Sequence, residues 1–301
     1  MKSMNNNIYR GYSSVVLSSL AYGVMPVISK YLLISGMDSD NVVFYRFFFT
    51  CIFTGLLVTV GKGWKKISLI QLTELVLFGI LGFGLTMQFL TCSYQYIPIG
   101  LATVLHFAYP LSVTVIMLVF YRERPTWARI SGCAAALAGI CLMVDFTGSF
   151  TMKGIIYALL SAITYSSFVV SNKKASFSRL NPLLNLFGFS LSASLFFGLR
   201  CAFQGTLILP ARPVQWGLML AISLLCTIFA FYMLMAGVRI LGAVKASIVN
   251  MIEPATGVVL GIIIFQETLT LKIMIGCLCI LISTLIMILD RDAKRDGGKN
   301  Q

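Results

Sequence analysis

Ten long apolar runs decide what this chain can fold into, at 12–34, 41–61, 71–94, 97–120, 127–146, 153–172, 182–204, 214–237, 242–265 and 271–290. Each is long enough to cross about 30 Å of hydrocarbon at roughly 1.5 Å per residue. Backbone groups find no water there, so each run must close its own hydrogen bonds as a helix. Turn formers or charges fill the gaps, among them Ser35-Gly36-Met37-Asp38, Gly61-Lys62-Gly63-Trp64, Gly148-Ser149 and Pro210-Ala211-Arg212-Pro213. The narrowest gap is Ser93 to Pro98, where Pro98 suits a helix start because its missing N–H costs nothing. The chain is 58% hydrophobic and 11% charged, against about 25% charged in an ordinary soluble domain. An all-α integral membrane protein of ten transmembrane helices is therefore expected. The opening MKSMNNNIYRGYSS leads into an apolar stretch containing Tyr22, Pro26 and Lys30, and reads as a retained first span.

The formal net charge of +13 does not point to nucleic acid, because the charges sit in short loops and at the tail. Orientation follows from where Lys and Arg fall. With the N-terminus inside, the cytoplasmic side holds Lys2, Arg10, Lys62, Lys65, Lys66, Arg122, Arg124, Arg129, Lys173, Lys174, Arg179, Arg239, Arg291, Lys294, Arg295 and Lys299, which is 16 of the 23 basic residues. The other side keeps four, Lys153, Arg200, Arg212 and Lys272, and three lie within spans. A multi-pass cell (inner) membrane protein with both termini cytoplasmic is expected. The eight cysteines lie mostly inside apolar runs and read as small hydrophobes, with no metal or redox spacing. No cofactor is expected.

The chain also repeats itself. ATVLHFAYPLSVTVIMLVFYRE, from Ala102 to Glu123, aligns with ASIVNMIEPATGVVLGIIIFQE, from Ala246 to Glu267, at an offset of 144. Pro110 meets Pro254, Glu123 meets Glu267 and Gly132 meets Gly276, while Tyr22 and Lys30 meet Tyr165 and Lys173 at 143. This predicts two five-helix repeats, 11–147 and 153–290, followed by a basic cytoplasmic tail at 291–301. Five is odd, so the second repeat enters the membrane in the opposite sense. Such inverted-topology repeats commonly serve alternating access around a central site.

Polar groups at mid-depth are the candidates for that site. Glu253 precedes Pro254, and Asn250 lies three residues back on the same helical face. The proline removes a backbone hydrogen bond and disturbs the preceding turn, opening carbonyls to a solute or ion. Glu253 either exchanges a proton during transport or is simply held by hydrogen bonds between helices. His106, the one histidine, is the repeat counterpart of Asn250, and Tyr109 that of Glu253. His106 binds solute or relays a proton, or else makes an interhelical hydrogen bond. Tyr22, Gln88, Tyr94, Tyr165, Asn172 and Tyr232 offer neutral hydrogen bonds to a cavity.

Lys30 and Arg46 fall toward the outer ends of the first two spans. They reach the headgroups, form a vestibule for anionic solutes, or pair with Asp38 or Asp40. Lys245 and Glu74 read as interfacial anchors or gate partners. Gly79, Gly82 and Gly84 allow close backbone approach. Gly257 and Gly261 have G-x-x-x-G spacing, which suits packing within the monomer or across a homodimer.

The pattern resembles the drug/metabolite transporter superfamily, specifically its EamA-like ten-span carriers. The likeness is carried by Ala21-Tyr22-Gly23 through Lys30, by Arg46, by Pro110 with Glu123 and Gly132, and by Pro254 with Glu267 and Gly276. It covers roughly residues 11–290. The resemblance implies a basket-like bundle with a central cavity, and gradient-driven export of amino acids or other metabolites. A membrane-embedded enzyme would need clustered catalytic groups, and none is apparent in the sequence. A channel would favour a continuous polar stripe, whereas polarity here gathers near mid-depth. A secondary transporter of small molecules, proton-coupled through Glu253, is the leading expectation, with a channel or scaffold subunit as the alternative.

Overall fold

The computed structural model describes residues 2–122, 126–143, 151–268 and 270–297, and every regular element among them is helical. The first half holds α1 (Lys2–Ile34), α2 (Ser39–Val60), α3 (Leu69–Phe78), α4 (Leu85–Ser93), α5 (Ile99–His106), α6 (Tyr109–Tyr121) and α7 (Trp127–Met143). The second holds α8 (Met152–Lys174), α9 (Pro182–Gln204), α10 (Pro213–Ser223), α11 (Ala230–Leu241), α12 (Ala243–Asn250), α13 (Ile252–Phe265) and α14 (Leu271–Gly297). A π-helical segment at Gly79–Gly84 joins α3 to α4, and another at Leu224–Phe229 joins α10 to α11. Each of those pairs is one continuous rod, as are α5–α6 and α12–α13 across short breaks.

Eight rods are long and apolar enough by length and composition to cross a membrane, among them Ile8–Ile34, Leu69–Ser93, Ile99–Tyr121 and Lys245–Phe265. α7 and α14 carry shorter apolar stretches, Ile130–Leu142 and Leu271–Met287, and complete the ten helices of the described fold. Local chemistry sets the ends. Asp38 caps α2 by accepting from the Asn41 amide, Ser68 and Gln71 close a reciprocal cap on α3, and Asn181 with Pro182 opens α9.

Loop contacts sort onto two faces. On one, Gln71 donates to the Ser176 carbonyl (3.3 Å) and Glu74 accepts from the Phe177 amide (3.1 Å). On the opposite face, Gln215 donates to the Ser35 carbonyl (3.2 Å), Asn41 to that of Thr206 (2.7 Å), and Glu267 accepts from the Ile99 amide (2.8 Å). Successive rods therefore alternate in direction, and the second five-helix repeat is inverted relative to the first. Packing has the same two-fold logic. α2 lies on α9, α5 on α13 and α7 on α14, so the second, fourth and fifth helices each meet their own counterparts. The first helix of each repeat meets the third of the other, α1 on α11 and α4 on α8.

Glycine makes these approaches close. A Cβ on Gly100 would stand 2.9 Å from the Val258 Cα, and one on Gly139 would stand 2.8 Å from the Gly276 carbonyl oxygen. Gly132 meets Met287, and its carbonyl accepts from Ser283 Oγ at 2.5 Å, so Gly132 and Gly276 both serve the α7–α14 seam. Gly257 and Gly261 face Thr103 and Ile99 of α5, inside the chain. Gly79 and Gly82 sit against Phe189 and Phe168 as the glycine spacing suggested, although the π-helical turn around them had no sequence signal.

Gly100→Val is expected to push α5 off α13 at a cost of about 1–3 kcal/mol. The check is a lower midpoint in thermal size-exclusion assays of the detergent-purified protein. Gly217→Val, where a Cβ meets nothing within 4 Å, serves as the control.

Candidate functional site

The site begins with two broken helices. α5 ends at His106 and α6 starts at Tyr109, while α12 ends at Asn250 and α13 starts at Ile252. A proline cannot donate to the carbonyl four residues back, and its ring collides with it. For Pro110 that carbonyl belongs to His106, and for Pro254 to Asn250. The two prolines thus interrupt both repeats at their counterpart polar residues. Glu253 falls in the first turn of α13, where the positive end of the helix dipole favours an acidic side chain.

Around the α12–α13 break, Asn250 Nδ2 donates to Glu253 Oε2 at 3.1 Å, and Asn250 Oδ1 lies 3.1 Å from Ser19 Oγ on α1. Ser19 Oγ is also 2.8 Å from the Val15 carbonyl, yet it has one proton to give. Two complete arrangements follow. With an ionised Glu253, Asn250 donates to it and accepts from Ser19. With a protonated Glu253, the amide turned over accepts from the acid and donates to Ser19, which then donates to Val15. The network is satisfied in either state. Gly23 lets α1 come this close, since a Cβ there would strike Thr256 on α13.

Around the α5–α6 break, His106 is buried and its Nδ1 lies 2.9 Å from Ser161 Oγ on α8. Ser161 gives its proton to the Ala158 carbonyl (2.6 Å), so it accepts from Nδ1–H, and Nε2 carries the free lone pair in this hydrogen-bond assignment. The Tyr165 ring lies tilted at 5.1 Å from the histidine ring and edge-on at 4.9 Å from Tyr109. The two breaks stand on neighbouring helices, since α5 packs on α13, and α1, which carries Ser19 and Tyr22, packs on both α12 and α13. Tyr22, Tyr165 and Glu253 are each partly buried.

Other sequence candidates lie elsewhere. Gln88 donates to Asp40 and Ser39, and Asp40 pairs with Arg200 at 3.1 Å, in a polar cluster away from the helix breaks. Tyr232 is 57% exposed on α11, and Lys245 and Asn172 are exposed near helix ends. Glu123 lies outside the described residues. Two expectations are corrected. Lys30 pairs with Glu267 at 2.7 Å and lies over the Phe265 ring, rather than with Asp38 or Asp40. Arg46 does not reach a headgroup: it is 4% exposed and points into the bundle. Ser19, Ser161 and Thr227, which hold the site residues, had no distinguishing signal among many intramembrane hydroxyls.

Residues 9–145 and 152–289 each match the EamA-like transporter family. The chain belongs to that family. An uncharacterized transporter of Clostridium kluyveri is 26% identical over 92% of this chain and 92% of its own, and the Bacillus subtilis uncharacterized transporter YcxC is 24% identical over 95% and 96%. A Rickettsia prowazekii S-adenosylmethionine uptake transporter is 31% identical over 53% of each chain. One crystal structure superposes with a TM-score of 0.59 at 17% identity, covering 94% of this chain and 98% of the other, which is a likeness of fold. Family membership, the homologous transporters and the ten-helix fold make this a multi-pass membrane transporter.

Glu267 also accepts from the Ile99 and Gly100 amides, at 2.8 and 3.5 Å, and so caps α5 while holding Lys30. Glu267→Ala is therefore expected to cost roughly 1–3 kcal/mol more than Lys30→Ala, because it leaves helix N–H groups without a partner. Thermal midpoints of the two variants check the order.

Proposed function

We propose that this protein is a secondary carrier in the cell (inner) membrane, with both termini cytoplasmic. It exports a small polar metabolite, such as an amino acid, by alternating access, in exchange for protons taken up at Glu253. The Ser19–Asn250–Glu253 network carries this reading, because it stays hydrogen-bonded with Glu253 in either protonation state. A carboxylate built only for packing has no need of a second satisfied arrangement. The paired breaks support alternating access: equivalent half-helices of opposite sense meet at one cavity, so one rocking motion closes one side while opening the other.

Exchange follows if the solute and the proton compete for the Glu253 carboxylate. A proton arriving down an inward gradient displaces the solute's donor group, and the emptied carrier returns. His106 Nε2 and the Tyr109 and Tyr165 rings form the opposite wall. The S-adenosylmethionine in the name of the rickettsial relative is itself a small polar metabolite, which supports the solute class. Its inward direction is compatible with the same machinery, since a gradient-driven carrier is reversible. The excess of basic residues on one side supports the orientation.

The test is exchange of labelled metabolites in proteoliposomes. As pH falls, Glu253 takes up its proton, so the apparent solute affinity of the wild type is expected to weaken. Glu253→Gln is expected to flatten that profile, and an unchanged rate with an unchanged profile rejects the coupling role. His106→Ala is expected to weaken solute affinity roughly 5–10-fold, about one hydrogen bond. Unaltered affinity in a well-folded variant assigns His106 to packing.

A further inference from the structure

Arg46 is a buried charge that the transport reading leaves unused. It follows the start of α2 at Ser39 by seven residues, roughly 10 Å of helix. Its Nε donates to Thr227 Oγ1 at 3.0 Å, and Nη1 approaches the sulfurs of Met25 at 2.7 Å and Met87 at 3.0 Å. Among the described residues no carboxylate comes within ion-pair distance of it. A guanidinium has five N–H donors, and thioether sulfur is a weak acceptor. A cation removed from water is costly unless an anion joins it.

The surroundings hold this charge in place. Thr227 lies in the π-helical segment Leu224–Phe229 and donates onward to the Ile222 carbonyl at 2.9 Å. Ser223, next to that segment, donates to the Arg46 carbonyl at 2.8 Å. Such π segments are frequent at functional sites. Met25, which meets Arg46, follows by two residues Gly23, where α1 lies against the Glu253 carbonyl and Thr256, so Arg46 sits beside the same stretch of α1 as the α12–α13 break. The Tyr94 hydroxyl there is buried and makes no hydrogen bond of normal geometry.

We infer that Arg46, held by Thr227, Met25 and Met87, is the docking site for a carboxylate on the transported solute. This rests on the carrier reading and narrows its cargo to carboxylate-bearing small molecules. A monoanion fits better than a phosphate dianion, because among the described residues no second basic side chain shares the site, and an ionised Glu253 would repel excess negative charge. The planar guanidinium also matches a carboxylate as a two-pronged donor.

The experiment uses matched pairs that differ only at this group: leucine and leucinamide, methionine and methioninamide, lactate and lactamide. Binding to the full-length purified protein is read by ligand-induced thermal shift, and transport by counterflow in proteoliposomes. In the wild type at least one acid is expected to bind about 10-fold or more tightly than its amide. Arg46→Gln is expected to bring that ratio close to one. Arg46→Lys, which keeps the charge and is the gentler change for folding, is expected to lower acid affinity several-fold and leave amide affinity unchanged. No acid preferred over its amide in the wild type, or a preference that survives in Arg46→Lys and Arg46→Gln at full strength, overturns the inference. Acid-selective, Arg46-dependent binding without counterflow removes the transport reading and leaves the docking site. Counterflow with selectivity independent of Arg46 does the reverse.

Discussion

Two missing backbone hydrogen bonds at mid-depth organise this protein. A helix in hydrocarbon normally satisfies each of its own carbonyls, and Pro110 and Pro254 deny it that at His106 and Asn250. A freed carbonyl facing lipid would be costly, so the breaks must face protein or a polar cavity. That requirement turns the breaks toward protein, where α5 and α13 pack on each other. The polar residues around the breaks are tolerable there because protein groups satisfy them: Asn250 donates to Glu253 and meets Ser19, and His106 meets Ser161.

Once the breaks point inward, the short half-helices need their ends secured. α5 starts beside the loop that follows α13, and Glu267 from that loop caps it while binding Lys30 of α1. Three rods from both repeats meet at this one carboxylate. The contact ties one face of the bundle together through a single side chain. The α7–α14 seam is different in kind. It is built from glycines and close backbone approach, with Ser283 donating to the Gly132 carbonyl, and suits two helices that move together.

Much of this was legible in the sequence because it rests on one-dimensional signals. Apolar run length, proline position and the repeat offset place the ten helices and the two breaks. The pairing of Asn250 with Glu253 follows from their spacing on one helix face. What remained hidden depends on contacts between distant segments. Lys30 and Glu267 are separated by 237 residues, and nearer acids at Asp38 and Asp40 offered themselves first. Asp38 is occupied as the α2 cap and Asp40 by Arg200 and Gln88. Arg46 was misplaced because a cation near a span end commonly reaches the headgroups, while its actual partners are two methionines and a threonine, residue types that carry no such signal. The π segment at Gly79–Gly84 likewise lies where Gly79 and Gly82 pack against α9 and α8.

Arg46 and Glu253 are each held by neutral groups from different rods. Arg46 is fixed to the eighth helix through Thr227 and Ser223, and Glu253 to the first and ninth through Ser19 and Asn250. Direct pairing would relieve both, and would also fill the space that a solute needs. On the carrier reading, keeping them apart with hydroxyls, an amide and sulfurs leaves both groups to the solute. A solute that brings the complementary groups then gains attraction without first stripping water from the protein's own charges. On that reading, preorganisation favours binding of the solute, and a single proton cancels the hold of Glu253. A carrier needs both properties at the same place, because a site that only binds tightly would not let its cargo go.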